Sequence, residues 1–181
     1  MPTTDTAASS PEFVVLVDDR DRELGTEEKL SAHRRGLMHR AFSVFIIDEH
    51  GRLLLQRRAA GKYHSAGLWS NTCCGHPRPG EPIERAARRR LQEEMGFDCP
   101  LERVFSFVYR APLDCGLTEH ELDHVFIGRF DGAPRPDPTE VSEWRAASVA
   151  EIADDVARNP GRYSAWLPQA LDGIRRWSAV P

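Results

Sequence analysis

The stretch NTCCGHPRPGE, residues 71–81, sets two adjacent cysteines and a histidine in a segment broken by glycine and proline. That composition packs poorly in a core and exceeds what a turn requires, so these side chains are candidates for chemistry. A thiol on a tight loop can exchange a proton at a pKa that responds to nearby charge. The imidazole of His76 can ligate a metal. His33 and His39 lie upstream, and Glu119 and Glu121 stand two residues apart downstream. In an extended chain those two carboxylates share one face. Three imidazoles and two carboxylates can fill five positions of an octahedron, which suits Mg2+ or Mn2+ better than a closed tetrahedral Zn2+ site. The other histidines, His50, His64, His120 and His124, read as surface or satisfied core residues. Cys73, Cys99 and Cys115 read as small buried hydrophobes.

A second constellation lies in EPIERAARRRLQEEMG, residues 81–96. Proline in the first turn, acids near the start and Gly96 at the end predict a helix. On a helical wheel Ile83, Ala86, Ala87, Leu91 and Met95 form an apolar stripe. Arg90 and Glu94 fall inside that stripe, with Glu93 at its edge. A buried face holds such groups only when they are paired, ligated or lining a cavity. The plain reading is an Arg90–Glu94 pair on a rim, worth ~0.3–0.5 kcal/mol. The sharper one is a helix that presents metal- or phosphate-binding groups to a cleft.

The elements that must carry these groups follow from the pattern. FVVLV (13–17) is a strand, and 27–40 reads as an irregular connection. Residues 41–48 and 52–58 flank DEHG as a hairpin. The segment 59–81 reads as one loop, long enough to suggest function. Strands are expected over 101–111 and 120–130, a rigid linker over 133–138, and helices over 148–157 and 163–177. The non-alternating order predicts a single α/β (α+β) domain over 12–181, with helices packed on a sheet, after a disordered tail at 1–11. A net charge of −4 without a basic stripe argues against nucleic acid. No run approaches the roughly 20 apolar residues of a membrane span, and no signal peptide is evident. Four cysteines in 181 residues form no disulfide framework, so reduced thiols in the cytoplasm are expected.

Gly75, then five residues, Glu81, seven residues, and Arg89-Arg90-Leu91-Gln92-Glu93-Glu94-Met95-Gly96-Phe97 resemble the Nudix box. Arg90 departs from it, standing where the box carries glutamate. An arginine there weakens a hydrolase's acidic cluster but can grip a diphosphate oxygen. From about residue 13 to 177 the chain resembles type 1 isopentenyl-diphosphate isomerases. The likeness is carried by HRAFSVF (39–45), LLLQRR…GK (53–62), LWSNTCCGHPRPGE (68–81), YR (109–110), EHE (119–121) and YSAWL (163–167).

The resemblance implies a Nudix-like α/β/α sandwich with a mixed sheet. It also implies conversion of isopentenyl diphosphate to dimethylallyl diphosphate through a tertiary carbocation, with Cys74 and Glu121 as acid–base groups. His33, His39, His76, Glu119 and Glu121 would hold Mn2+ or Mg2+, with Zn2+ the alternative. A second Mg2+ would sit on Glu94, with the Cys74 carbonyl, and bridge the phosphates. Lys29, Arg58, Lys62 and Arg90 match the positions that grip the diphosphate. Tyr109 would hydrogen-bond Glu121, Trp166 would turn its ring to the cation, and Trp69 would line the same pocket. Glu81 and Glu93 are expected to make no direct metal contact, and the protein to act as a monomer on a small molecule. Two other readings stay open at this level: a true Nudix hydrolase, and a scaffold with a structural zinc on Cys73, Cys74 and His76.

Overall fold

The computed structural model describes residues 11–178, so the tail expected at 1–11 falls outside it except for Pro11. FVVLV forms β1 (Phe13–Val17), paired antiparallel with β2 (Glu23–Glu28). The sequence hid β2, because ELGTEE is a largely exposed edge with no apolar alternation. The segment expected to be irregular holds a helix, α1 (Lys29–Arg35). Glu28 caps it by accepting from the backbone N–H groups of Leu30 (2.9 Å) and Ser31 (2.7 Å). Gly36 closes it in the left-handed region, at φ 60°. Seven residues are too few for a helical period to declare itself.

β3 (His39–Ile47) starts earlier than expected, which brings His39 onto the sheet, and turns into β4 (Leu53–Arg58). The expected hairpin holds only at its base, where Ile47 pairs with Leu53. Beyond that pair other strands take the edges. The segment expected as one loop contains β5 (Trp69–Ser70), which pairs with β4, and β6 (Cys73–Gly75), which pairs with β3. The predicted central helix is α2 (Ile83–Met95). β7 (Leu101–Pro112) and β8 (Thr118–Arg129) form a long antiparallel pair. β8 also runs parallel to β3, from His39 beside Glu121 to Ile47 beside Arg129. β9 (Val141–Ala147), not anticipated, pairs with β4. α3 (Val149–Arg158) opens with a capping box between Ser148 and Glu151. α4 (Leu167–Ser178) begins later than expected because Tyr163 is still extended and bridged to Trp69.

Strand alternation divides the core into two layers. Phe42, Val44, Ile46 and Phe126 pack with Ala87, Leu91 and Met95 of α2. Phe45, Leu55, Val125 and Ile127 face the other way, against Ile152 of α3 and Leu167, Leu171 and Ile174 of α4. Each fully buried aliphatic side chain contributes ~1.5–3 kcal/mol of transfer free energy, which holds both layers on the sheet. The result is the expected α/β/α sandwich with a mixed sheet. The 133–138 linker docks on the end of α2: Arg135 and Asp137 donate their N–H groups to the carbonyls of Met95 and Glu94, both at 3.0 Å. Gly96 makes that possible, since a Cβ there would come within 2.2 Å of the Arg135 carbonyl oxygen.

Candidate active site

The adjacent cysteines are explained by β6. Successive residues of a strand point to opposite faces. Cys73, opposite Val44, is fully buried in the α2 layer. Cys74, opposite Ser43, turns the other way and lines a cleft of about 990 Å³. Burial pushes its thiol up to about 12, against the opposing pull of Arg58, whose Nη1 lies 4.0 Å from Sγ. The thiol therefore carries its proton at neutral pH. Cys73 belongs to the opposite layer, so the two cysteines cannot ligate one zinc ion with His76. Cys99 is buried as expected, whereas Cys115 is exposed on the β7–β8 turn.

Sheet register assembles the second set. Tyr109, Glu121 and His39 are lateral neighbours on β7, β8 and β3, so all three project from one face. The Tyr109 hydroxyl donates to Glu121 Oε2 at 2.5 Å. His39 Nε2 lies 3.4 Å and His76 Nε2 2.7 Å from Glu121 Oε1, and these two imidazole nitrogens are 3.2 Å apart. α1 delivers His33, with Nε2 3.1 Å from Glu119 Oε2. One ligand atom from each of His33, His39, His76, Glu119 and Glu121 lies within 4.8 Å of all the others.

The electrostatics of this cluster fit a divalent cation. His33 Nδ1 faces the Lys29 carbonyl at 2.6 Å and His39 Nδ1 the Leu37 carbonyl at 2.8 Å. A carbonyl only accepts, so each Nδ1 bears a proton and each Nε2 faces the cluster. Burial lowers His33 and pushes His76 down to about 3, keeping both neutral. Burial, with the Glu121 charge, pushes Glu119 above the carboxylate range. Burial acts to raise Glu121 too, but its neighbours His39 and His76 reverse this and hold it low. His33 Nε2 and Glu119 Oε2 are buried 3.1 Å apart, and among the described residues neither has a further hydrogen-bond partner. Inward-facing imidazole nitrogens and carboxylate oxygens at this spacing could hold a divalent metal.

Lys29, Arg58, Lys62, Arg90 and Glu94 all line the same cleft as Cys74, Glu121, Tyr109 and Trp166. Arg90 donates to Glu93 (2.7 Å) and Glu94 (2.5 Å), and Gln56 donates to the other Glu94 oxygen at 2.7 Å. Glu94 is thus a buried, paired carboxylate, and the i, i+4 pair is no rim decoration. Glu81 accepts from Arg89 through both oxygens, at 2.8 and 2.9 Å. Trp166 is oriented by its Nε1–H, which donates to Asn71 Oδ1 at 3.0 Å.

Comparison with known proteins agrees with this arrangement. The NUDIX domain family matches residues 37–167. The chain is 55% identical over 161 residues to Isopentenyl-diphosphate Delta-isomerase 2 of Aromatoleum aromaticum, covering 89% of this chain and 85% of that one. It is 54% identical over 172 residues to the Isopentenyl-diphosphate Delta-isomerase of Burkholderia multivorans, covering 92% and 98%. The chain belongs to the isopentenyl-diphosphate Delta-isomerases, within the NUDIX fold. The fold is also that of the crystal structure of DR0079 from Deinococcus radiodurans, with a TM-score of 0.76 at 22% identity over 92% of this chain and 99% of that one.

Within this isomerase fold some expected residues stand elsewhere and others come in unannounced. Trp69 does not line the cleft. It is buried in the α3–α4 layer, with the Arg145 guanidinium 4.7 Å from its ring centroid. His64, read as a surface or satisfied core residue, is a buried wall of the cleft with Nε2 3.3 Å from Glu119 Oε1. His124 is a buried partner of Asp21, at 3.1 Å, and the side chain of His50 is exposed. Glu12 and Glu140 also reach the cleft. Neither has a local signal in the sequence, since each is a lone acid in a polar connection.

Proposed function

We propose that Cys74 and Glu121 are the two groups that exchange protons with isopentenyl diphosphate, and that the cleft cations hold its diphosphate uncleaved. As a member of its family the protein converts isopentenyl diphosphate to dimethylallyl diphosphate, a step of isoprenoid biosynthesis. One proton is added to the terminal alkene carbon and one is removed from the allylic carbon, leaving the atom count unchanged. The intermediate is a tertiary carbocation, so the site must supply acid and base groups while excluding water. The observation that carries the proposal is the pairing in one cleft of a protonated thiol with a carboxylate that receives a phenolic hydrogen bond.

Tyr109 orients Glu121 and relays its proton. The ring of Trp166, locked by Asn71, stabilises the cation by ~2 kcal/mol if the pocket is dry. Lys29, Arg58, Lys62 and Arg90 take the phosphate oxygens through charge-assisted hydrogen bonds. His33, His39, His76, Glu119 and Glu121 would hold Mn2+ or Mg2+, with Zn2+ the third candidate, and Glu94 with the Cys74 carbonyl would hold Mg2+. Bound there, such ions polarise their carboxylate ligands and offset the diphosphate charge. The partner is this small substrate, handled by a cytoplasmic monomer with no nucleic-acid surface. Among the described residues no helix is long and apolar enough to cross a membrane.

The test is an incubation of the protein, Mg2+ and Mn2+ with isopentenyl diphosphate in heavy water, followed by NMR. Deuterium-labelled dimethylallyl diphosphate without free phosphate is expected. Release of phosphate without rearrangement would instead mean that the Arg90-altered helix performs hydrolysis.

A further inference from the structure

Glu140 sits in the turn between the 133–138 linker and β9, and its carboxylate reaches into the cleft. Glu140 Oε2 pairs with the Lys62 ammonium and accepts from Arg90 Nη2 at 3.2 Å. Among the described residues these two cations are its only side-chain partners. Glu94 differs, because Gln56 holds it independently of any cation. Lys62, in turn, has no other carboxylate within ion-pair distance among the described residues.

The carboxylate is also pre-placed. The Glu140 N–H donates to the Asp137 carbonyl at 3.0 Å, and its own carbonyl accepts from Ala59 at 3.0 Å, at the base of the loop that carries Lys62. Asp137 is itself tied to the end of α2 through the Glu94 carbonyl, about one turn beyond Arg90. Glu140 therefore needs little ordering to meet its partners.

We propose that Glu140 is an affinity-determining residue that occupies, in the empty cleft, the cation positions a diphosphate takes in the filled one. This rests on the reading above, in which Lys62 and Arg90 hold the diphosphate. A ligand oxygen that takes the position between Lys62 Nζ and Arg90 Nη2 displaces Glu140 Oε2 from it, and the displaced carboxylate then stands beside an anion of like charge. Both effects oppose binding of substrate and product alike. They also keep half-buried cations paired when no ligand is present, which limits the desolvation cost of the empty site. Glu140 thus weakens diphosphate binding and speeds product departure, the role of uniform binding energy deliberately held back.

The test is calorimetric titration of the Mg2+-loaded protein with inorganic pyrophosphate, for the wild type, Glu140→Gln and Lys62→Met. Glu140→Gln is expected to bind pyrophosphate roughly tenfold more tightly, the scale of one charge-assisted hydrogen bond. With isopentenyl diphosphate it should show a lower KM and stronger inhibition by product. Weaker pyrophosphate binding by Glu140→Gln, or unchanged binding, overturns the proposal. So does a raised Mg2+ requirement in that variant, because Glu140 would then be serving the metal. The Lys62→Met protein separates the two layers of the argument. If it binds pyrophosphate as well as the wild type, the diphosphate reading of this cation fails, whatever Glu140→Gln does.

Discussion

Tyr109 and Glu121 stand directly opposite one another on antiparallel strands, and the phenol donates to the carboxylate at 2.5 Å. His39 flanks the same carboxylate from the parallel strand on the other side. One row across three strands therefore joins a phenol, a carboxylate and an imidazole, and the sheet's hydrogen bonding keeps them at fixed spacing.

Tyr109→Phe removes only the hydroxyl from that row. It is expected to reduce kcat by roughly 10–100-fold, as loss of a partner to a metal-ligand carboxylate generally does, with KM for isopentenyl diphosphate little changed. Steady-state kinetics on a variant whose melting temperature matches the wild type would check this. A change confined to KM would place the hydroxyl in substrate binding.

Cys74→Ser and Glu121→Gln should each abolish a different half of the proton exchange. NMR in heavy water is expected to show deuterium incorporation at one carbon lost in the first variant and at the other carbon lost in the second. Turnover should fall by at least about 10²-fold in each. Survival of both exchanges in either variant would remove that residue from the proton path.

The His–Glu cluster should tie metal to stability. Full occupancy at about 100 times Kd adds ~2.7 kcal/mol to the folded state. Chelation is thus expected to abolish turnover and lower the melting temperature while helical circular dichroism persists at 25 °C. Adding Mn2+ back should raise the melting temperature of the wild type and not that of His39→Ala. An identical metal-induced rise in both would exclude the cluster as the site.

Glu81 provides a pH-dependent contribution outside that cluster. Hydrogen bonds from Arg89, opposed by partial burial, hold its carboxyl below the usual glutamate range. A depressed carboxylate stabilises the fold above the unfolded pKa and loses that contribution as pH falls through the folded one. Glu81→Gln should therefore cost about 1 kcal/mol at pH 7. In urea unfolding the gap between the two proteins should narrow as pH falls through the carboxylate range. A gap independent of pH would show that the ionised pair contributes nothing.

Local pattern determined much of this protein. The apolar stripe of α2, with Arg90 and Glu94 inside it, was legible because a helix repeats every 3.6 residues and a charge on the wrong face stands out. Glu119 and Glu121 declared a shared face because a strand repeats every two. The adjacent cysteines announced a site in which Cys73 reads as buried and Cys74 as the acid–base group, and the pairing of β6 with β3 supplies the reason, since it turns Cys73 to the core and Cys74 to the cleft. α1 and β2 were illegible, one too short for its period and the other too polar. Trp69 and His64 exchanged places relative to expectation, because which wall a side chain joins depends on neighbours far along the chain. Glu140 reached the cleft through a linker docked on Gly96, a contact between segments that no local window contains. Sequence periodicity thus told which groups each element would present, and tertiary register alone decided which of them meet, since meeting depends on long-range pairing and not on spacing.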